Sequence, residues 1–195
     1  MFKFKPINYR KLSDEKLAAT IMNGDSAAFN ELYDRYNARI LYYFYRMLGN
    51  DKELAQDFLQ DLFFKIIDKP QLFDAERKFS TWIFSIAHNM CKNEYRSRQV
   101  RNIMEKGVDA DSFPDIEETA DYSSLQTEDI FGCLNAFDEI HRTAFLLKYR
   151  EGLSIHEISA VLGLPVGTIK SRLFYTRKKI QEKLLPKIQN SNKYR

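Results

Sequence analysis

Gly167, Lys170, Ser171 and Phe174 fall at i, i+3, i+4 and i+7 near the C-terminal end of this chain, so they share one face of a helix. A small residue, a cation, a hydroxyl and an aromatic on one exposed face are what a helix entering the major groove of DNA presents. The glycine lets the backbone approach closely. Lys170 can donate to a base edge or a phosphate, and Phe174 can lie against a thymine methyl. Thr168, Arg172, Arg177 and Lys178 flank this row as phosphate contacts, with Tyr175 beside them. Lys148 and His156 lie just upstream, within reach of the same groove, although His156 reads equally well as an ordinary exposed histidine.

The segment around these residues predicts a helix-turn-helix. Ser154 caps a first helix, and Glu157 three residues on completes a capping box. Ile158, Val161 and Leu162 give that helix an apolar stripe. Gly163 supplies the left-handed residue of a tight stop, and Pro165 suits the opening of the next helix. In that second helix Val166, Ile169 and Leu173 recur on the side opposite the polar row and face a core.

Two further surfaces stand out. A helix expected over about Asp51 to Asp68 carries Leu54, Phe58, Leu62 and Ile66 toward a core. Asp57, Gln60, Asp61, Phe64 and Asp68 line its other side. An acidic face with an aromatic at its middle repels a phosphate backbone and suits a protein partner that offers cations and an apolar notch. The alternative is a solvated face with Phe64 tucked under a neighbouring loop. The next helix, opened by Ser80 or Thr81, puts Phe79, Ile83, Ile86 and Met90 on a core stripe. Trp82, Ser85, Asn89, Asn93 and Arg96 form another line, with Lys92, Arg98 and Arg101 nearby. Rings that stack on bases, amides that read base edges and cations that hold the backbone suit single-stranded or unstacking DNA. A tryptophan there also fits plain core packing.

Almost every other stretch has helical periodicity, with short helices expected after Ser13 and after Asp25 or Ser26. The chain has few glycines and prolines, and no period-two alternation is sustained. The net charge of +3 hides a strong segregation. Pro165 to Arg195 holds nine Lys or Arg and one acid, whereas Glu105 to Asp129 holds nine acids and one base. The fold class expected is all-α: two small helical domains joined by a flexible acidic linker. Their bounds are 1–100 and 130–190, with the linker over 101–129 and a tail at 191–195. Cys91 and Cys133 form no CxxC motif and His88 has no second ligand pair, so no metal or cofactor is expected. No paired carboxylates, nucleophile–base set or glycine-rich phosphate loop argues for an enzyme or a small-molecule substrate. No apolar run reaches a membrane span, and MFKFKPINYRK lacks a signal peptide's apolar stretch, so a cytoplasmic protein is expected.

Taken together, these residues resemble a bacterial extracytoplasmic-function (ECF) sigma factor of the sigma-70 family, from about Asp25 to Lys183. LAQDFLQDLFFKI resembles region 2.2, FDAERKFSTWIFSIAHNMCKNEYRSR resembles regions 2.3 and 2.4, and EGLSIHEISAVLGLPVGTIKSRLF resembles region 4.2. The resemblance implies that Asp57, Gln60, Asp61 and Phe64 dock on the β′ clamp helices of core RNA polymerase. It implies that Lys65, Phe73, Trp82, Ser85, Asn89, Lys92 and Arg96 bind and melt the −10 element, and that the row around Lys170 reads the −35 element. It also implies contact with the polymerase β flap, promoter DNA as partner, and an anti-sigma factor that holds the protein inactive. Three positions depart from the pattern. Asn93 stands where many members carry Asp, Phe137-Asp138 replaces the usual Leu-Pro, and Ile155-His156 occupy places where an aromatic and an acid are frequent. A helix-turn-helix regulator acting without core polymerase is the competing reading; it would bind a palindromic site alone.

Overall fold

A computed structural model describes the backbone of residues 7–74, 76–106 and 127–191. It is all-α, with no strand among the described residues. The N-terminal half holds α1 (Asp14–Ile21), α2 (Ser26–Met47), α3 (Lys52–Asp68) and α4 (Phe79–Lys106). The C-terminal half holds α5 (Thr127–Gly132), α6 (Glu139–Tyr149), α7 (Ile155–Leu162) and α8 (Val166–Ser191).

Side-chain caps set most of the helix starts. Ser13, Asp25, Asp51 and Asp138 each accept a backbone N–H from the first turn of α1, α2, α3 and α6. The start of α4 is set differently. The helix begins at Phe79, one residue before the expected Ser80 or Thr81, because its cap comes from another helix: Glu15 Oε1 accepts the Phe79 N–H at 3.1 Å. The chain reverses after α2 through Gly49 and Asn50, both with positive φ of 81° and 64°. The helices also run into the segment expected as linker. Residues 101–106 continue α4 and 127–129 open α5. The expected flexible tether otherwise falls on 107–126, which lie outside the described residues, as do 192–195 of the tail.

The halves are not held apart; α6 and α7 lie along α2 and α4. Buried Thr143 of α6 meets Tyr43 and Met47 of α2 and His88 of α4 across this seam. Polar groups tie it. Arg39 Nε donates to Glu151 Oε2 at 2.7 Å, and Lys78 Nζ lies 2.8 Å from Glu157 Oε1. Thr143 Oγ1 lies 3.3 Å from the Tyr43 hydroxyl and 3.4 Å from His88 Nδ1. Arg142 donates to the last carbonyls of α2, at Arg46 and Met47, where a cation meets the negative end of the helix dipole. Cys91 and Cys133 are both buried and form no disulfide. Among the described residues no helix is long and apolar enough to cross a membrane.

Candidate nucleic-acid and polymerase interfaces

The helix-turn-helix forms as its sequence dictates. The Ser154 hydroxyl accepts the Glu157 N–H at 3.2 Å and the Glu157 carboxylate accepts the Ser154 N–H at 2.7 Å, so the capping box is complete. Gly163 closes α7 at φ 65°. Ile158, Val161, Ile169 and Leu173 are buried, which turns the opposite side of α8 to solvent. That side carries Gly167, Lys170, Ser171, Phe174, Tyr175, Arg177 and Lys178, all exposed. Phe174 and Tyr175 are 62% and 59% exposed, an unusual display of two rings on a cationic helix. At Gly167 φ is not positive, and a Cβ there would meet nothing within 4 Å. The chain's own packing therefore does not require glycine at this position.

Four residues expected with this row sit differently. Lys148 is half-buried, its Nζ 3.4 Å from the Leu153 carbonyl. Thr168 is half-buried on the helix flank, and His156 is exposed on α7. Arg172, expected on a phosphate, turns back toward α6, with Nη1 3.2 Å from His141 Nδ1 and 3.7 Å from Asp138 Oδ2. Its position on the α8 flank, next to the buried Ile169 and Thr176, brings it there. Burial works against the charged form of Asp138, but the His141 N–H, the His141 ring and the Arg172 charge hold its pKa below the usual carboxylate value. Sequence reasoning missed Asp138 and His141. The one signal was the Phe137-Asp138 departure, which places an N-cap acid where the family pattern has proline.

On α4 the exposed line comprises Asn89, Lys92 and Arg96, with Asn93 also exposed and Ser85 half-buried. The Ser85 hydroxyl donates to the Thr81 carbonyl one turn back, so its donor is occupied. Trp82 is partly buried, its ring 5.2 Å from Phe73 and 5.6 Å from Phe79. Phe73 itself is 5% exposed and belongs to the core. A base reaching it would have to displace that packing, so as placed Phe73 supports the indole and offers no free face. Lys65 is exposed near the C-terminal end of α3.

Along α3, Ala55, Leu59, Leu62, Phe63 and Ile66 are buried, while Asp57, Gln60, Asp61 and Asp68 are exposed. Phe64 is 67% exposed, so no loop covers it, and Ile67 is 51% exposed beside it. The face thus keeps its acids and an uncovered ring together.

The connection between α3 and α4 ends at Lys78, and its partner Glu157 opens α7. Burial opposes ionisation of Glu157, but Lys78 and the Ser154 hydroxyl and N–H outweigh it and lower its pKa to about 2. The helix-turn-helix is thereby linked to the residue that immediately precedes α4.

Two family models match the chain: Sigma-70 region 2 over residues 32–101 and Sigma-70, region 4 over residues 128–180. The ECF RNA polymerase sigma factor SigW of Bacillus subtilis (strain 168) is 30% identical over 180 residues, 87% of this chain and 96% of that protein. The ECF RNA polymerase sigma-E factor of Escherichia coli (strain K12) is 30% identical over 189 residues, 91% and 97% of the two chains. The solved structure of CnrH in complex with the cytosolic domain of CnrY covers 88% of this chain and 96% of its own, at TM-score 0.65 and 25% identity. The sigma factor RpoE of Bartonella quintana, solved with the anti-sigma factor NepR, covers 78% and 95% at TM-score 0.61 and 27% identity. The three exposed faces lie within the two matched regions, in the order the motifs predict. The chain belongs to the ECF RNA polymerase sigma factors of the sigma-70 family.

Proposed function

We propose that the chain acts in transcription initiation by docking on core RNA polymerase through α3 and engaging promoter DNA through α4 and α8. Asp57, Gln60, Asp61 and Phe64 form the docking face, mated to the β′ clamp helices. The single observation that carries this is Phe64: a large ring two-thirds exposed amid carboxylates serves no intramolecular purpose. Asn89, Lys92, Arg96 and Lys65 form the −10 surface, with Trp82 backed by Phe73. Gly167, Lys170, Ser171, Phe174 and Tyr175 read the −35 duplex, and Arg177 and Lys178 hold its backbone. The first module spans 1–100, the second 130–190, with the acidic connector between them. When both modules engage one DNA, the second contact is intramolecular and two modest affinities combine into a large one. Unstacking a base at the −10 element costs a few kcal/mol, offset by stacking and hydrogen bonds. No bond is made or broken.

The partners follow: core polymerase, including its β flap, promoter DNA, and an anti-sigma factor, as in the RpoE–NepR complex. Action on polymerase places the chain in the cytoplasm. Gel-shift assays with and without purified core enzyme test the reading. Tight promoter binding only with core supports it; tight binding of a palindromic site by the chain alone favours the independent regulator.

A further inference from the structure

Position on α8 marks Arg172 as a phosphate contact, but its guanidinium is committed elsewhere. Asp138 Oδ1 accepts the His141 N–H at 2.9 Å, capping α6, and lies 2.8 Å from His141 Nδ1. Its other oxygen, Oδ2, faces Arg172 Nη1 at 3.7 Å, and that same Nη1 lies 3.2 Å from His141 Nδ1. Nδ1 cannot donate to Asp138 and accept from Arg172 at once. At 2.8 Å from a carboxylate oxygen, Nδ1 carries the proton and donates it, which leaves the carboxylate as the partner of both the histidine and the arginine. Arg172 is mostly buried, its side chain 28% exposed, and its Nε is buried without a hydrogen-bond partner.

We propose that Asp138, His141 and Arg172 form a clasp that fixes the rotation of the recognition helix, making Arg172 a positioning residue for base readout and not a phosphate contact. The physical need is clear from the packing. Ile169, Leu173, Thr176 and Ile180 hold α8 to the body. Apolar contacts are non-directional, so they resist separation better than rotation. The Arg172–Asp138 ion pair, at 3.7 Å, adds an off-axis attraction anchored at the cap of α6. It sits on the flank, in the turns of α8 that carry the reading row. A side-chain tip about 6 Å from a helix axis moves roughly 1 Å for every 10° of rotation, enough to break a hydrogen bond to a base edge. The clasp thus acts on which base is read, through the angle of α8.

This inference rests on α8 being the duplex-reading helix, and the test separates the two. The protein is full-length chain bound to core polymerase. The probe is the fluorescent duplex that run-off transcription selects from fragmented genomic DNA, with a version scrambled at the −35 element. Affinity is measured against KCl concentration for wild type, Arg172→Gln, Asp138→Asn, their double variant, Lys178→Ala and Lys170→Ala. Asparagine still caps a helix, so Asp138→Asn removes the charge and keeps the cap; a thermal melt of each variant confirms folding. The clasp predicts that Arg172→Gln and Asp138→Asn each weaken the selected duplex roughly tenfold and the scrambled one little. The double variant is no weaker than either single. Their salt slopes match wild type, while Lys178→Ala loses about 0.9 of slope. If Arg172→Gln loses that slope too and its effect adds to that of Asp138→Asn, Arg172 is a phosphate contact and the clasp is wrong. If Lys170→Ala changes neither affinity nor discrimination, α8 is not the reader, and this proposal falls with that reading.

Discussion

Arg39 and Glu151 join the two halves of the chain: Nε and Oε2 are 2.7 Å apart, and the glutamate side chain is only 3% exposed. Burial raises the Glu151 pKa, and the Arg39 hydrogen bond and charge work against it, with a smaller contribution from Arg150. Arg39 also stacks over the Tyr36 ring, 4.7 Å from its centroid. Arg39→Ala removes the hydrogen-bond donor of a buried acid and costs about 1–3 kcal/mol in urea unfolding. Because the pair spans the seam, small-angle scattering of the variant shows a radius above the roughly 16 Å expected of a compact chain this long.

Gly167→Ala separates packing from recognition. The added methyl meets open space and the backbone is already helical, so the free protein is unchanged or stabilised by up to about 1 kcal/mol. Binding of the holoenzyme to the −35 duplex weakens, because the methyl stands where the groove comes closest. Paired thermal melts and DNA titrations check both signs.

Asp61→Arg and Phe64→Ala change exposed side chains of α3, so unfolding free energies stay within about 0.5 kcal/mol of wild type. Both weaken co-purification with core polymerase, Phe64→Ala by about 2 kcal/mol if the ring anchors the interface. Phe73→Ala behaves oppositely at the level of the fold and costs about 3–5 kcal/mol, since it empties a core position. Asn89→Ala leaves the fold intact and slows promoter opening, read by permanganate reactivity of melted thymines.

The seam responds to acid through His88. Burial, with Lys92 nearby, lowers its pKa from 6.5 to about 4, so the buried ring is neutral at pH 7. Around it are Thr143 and Glu139 of α6, with Glu139 Oε1 3.6 Å from Nδ1. Burial raises the Glu139 pKa, so the contact is a close approach in a dry seam and not a strong ion pair. A depressed histidine contributes stability fully above its unfolded pKa, and that contribution is lost as pH falls toward about 4. The loss is on the order of 2–3 kcal/mol. Glu139 works with the opposite sign, so the comparison is wild type against His88→Gln. Urea midpoints at pH 7 and pH 4.5 converge less for wild type, whose stability drops more than the variant's.

Local signals carried much of the fold. Ser13, Asp25, Asp51 and the Ser154–Glu157 box each open a helix where their chemistry says, because a cap is satisfied within one turn. The start of α4 was not legible, since its capping carboxylate is Glu15, 64 residues away. The exposed rows on α3 and α8 followed from period alone, because one buried stripe fixes the rest of a helix. What period cannot give is the inward turn of Phe73, which lies in the connection between helices. Nor can it give the Arg172 clasp, whose partners sit 31 and 34 residues earlier on a different element. The packing of the two halves was equally invisible: Arg39 and Glu151 are ordinary surface residues until the seam buries one of them.

The most direct test is run-off transcription with purified core RNA polymerase on fragmented genomic DNA, with and without this chain. The account predicts discrete transcripts that appear only when the chain is added and vanish when Asp61→Arg replaces it. Tight, selective DNA binding by the chain alone, with no transcript dependent on it, would contradict the account.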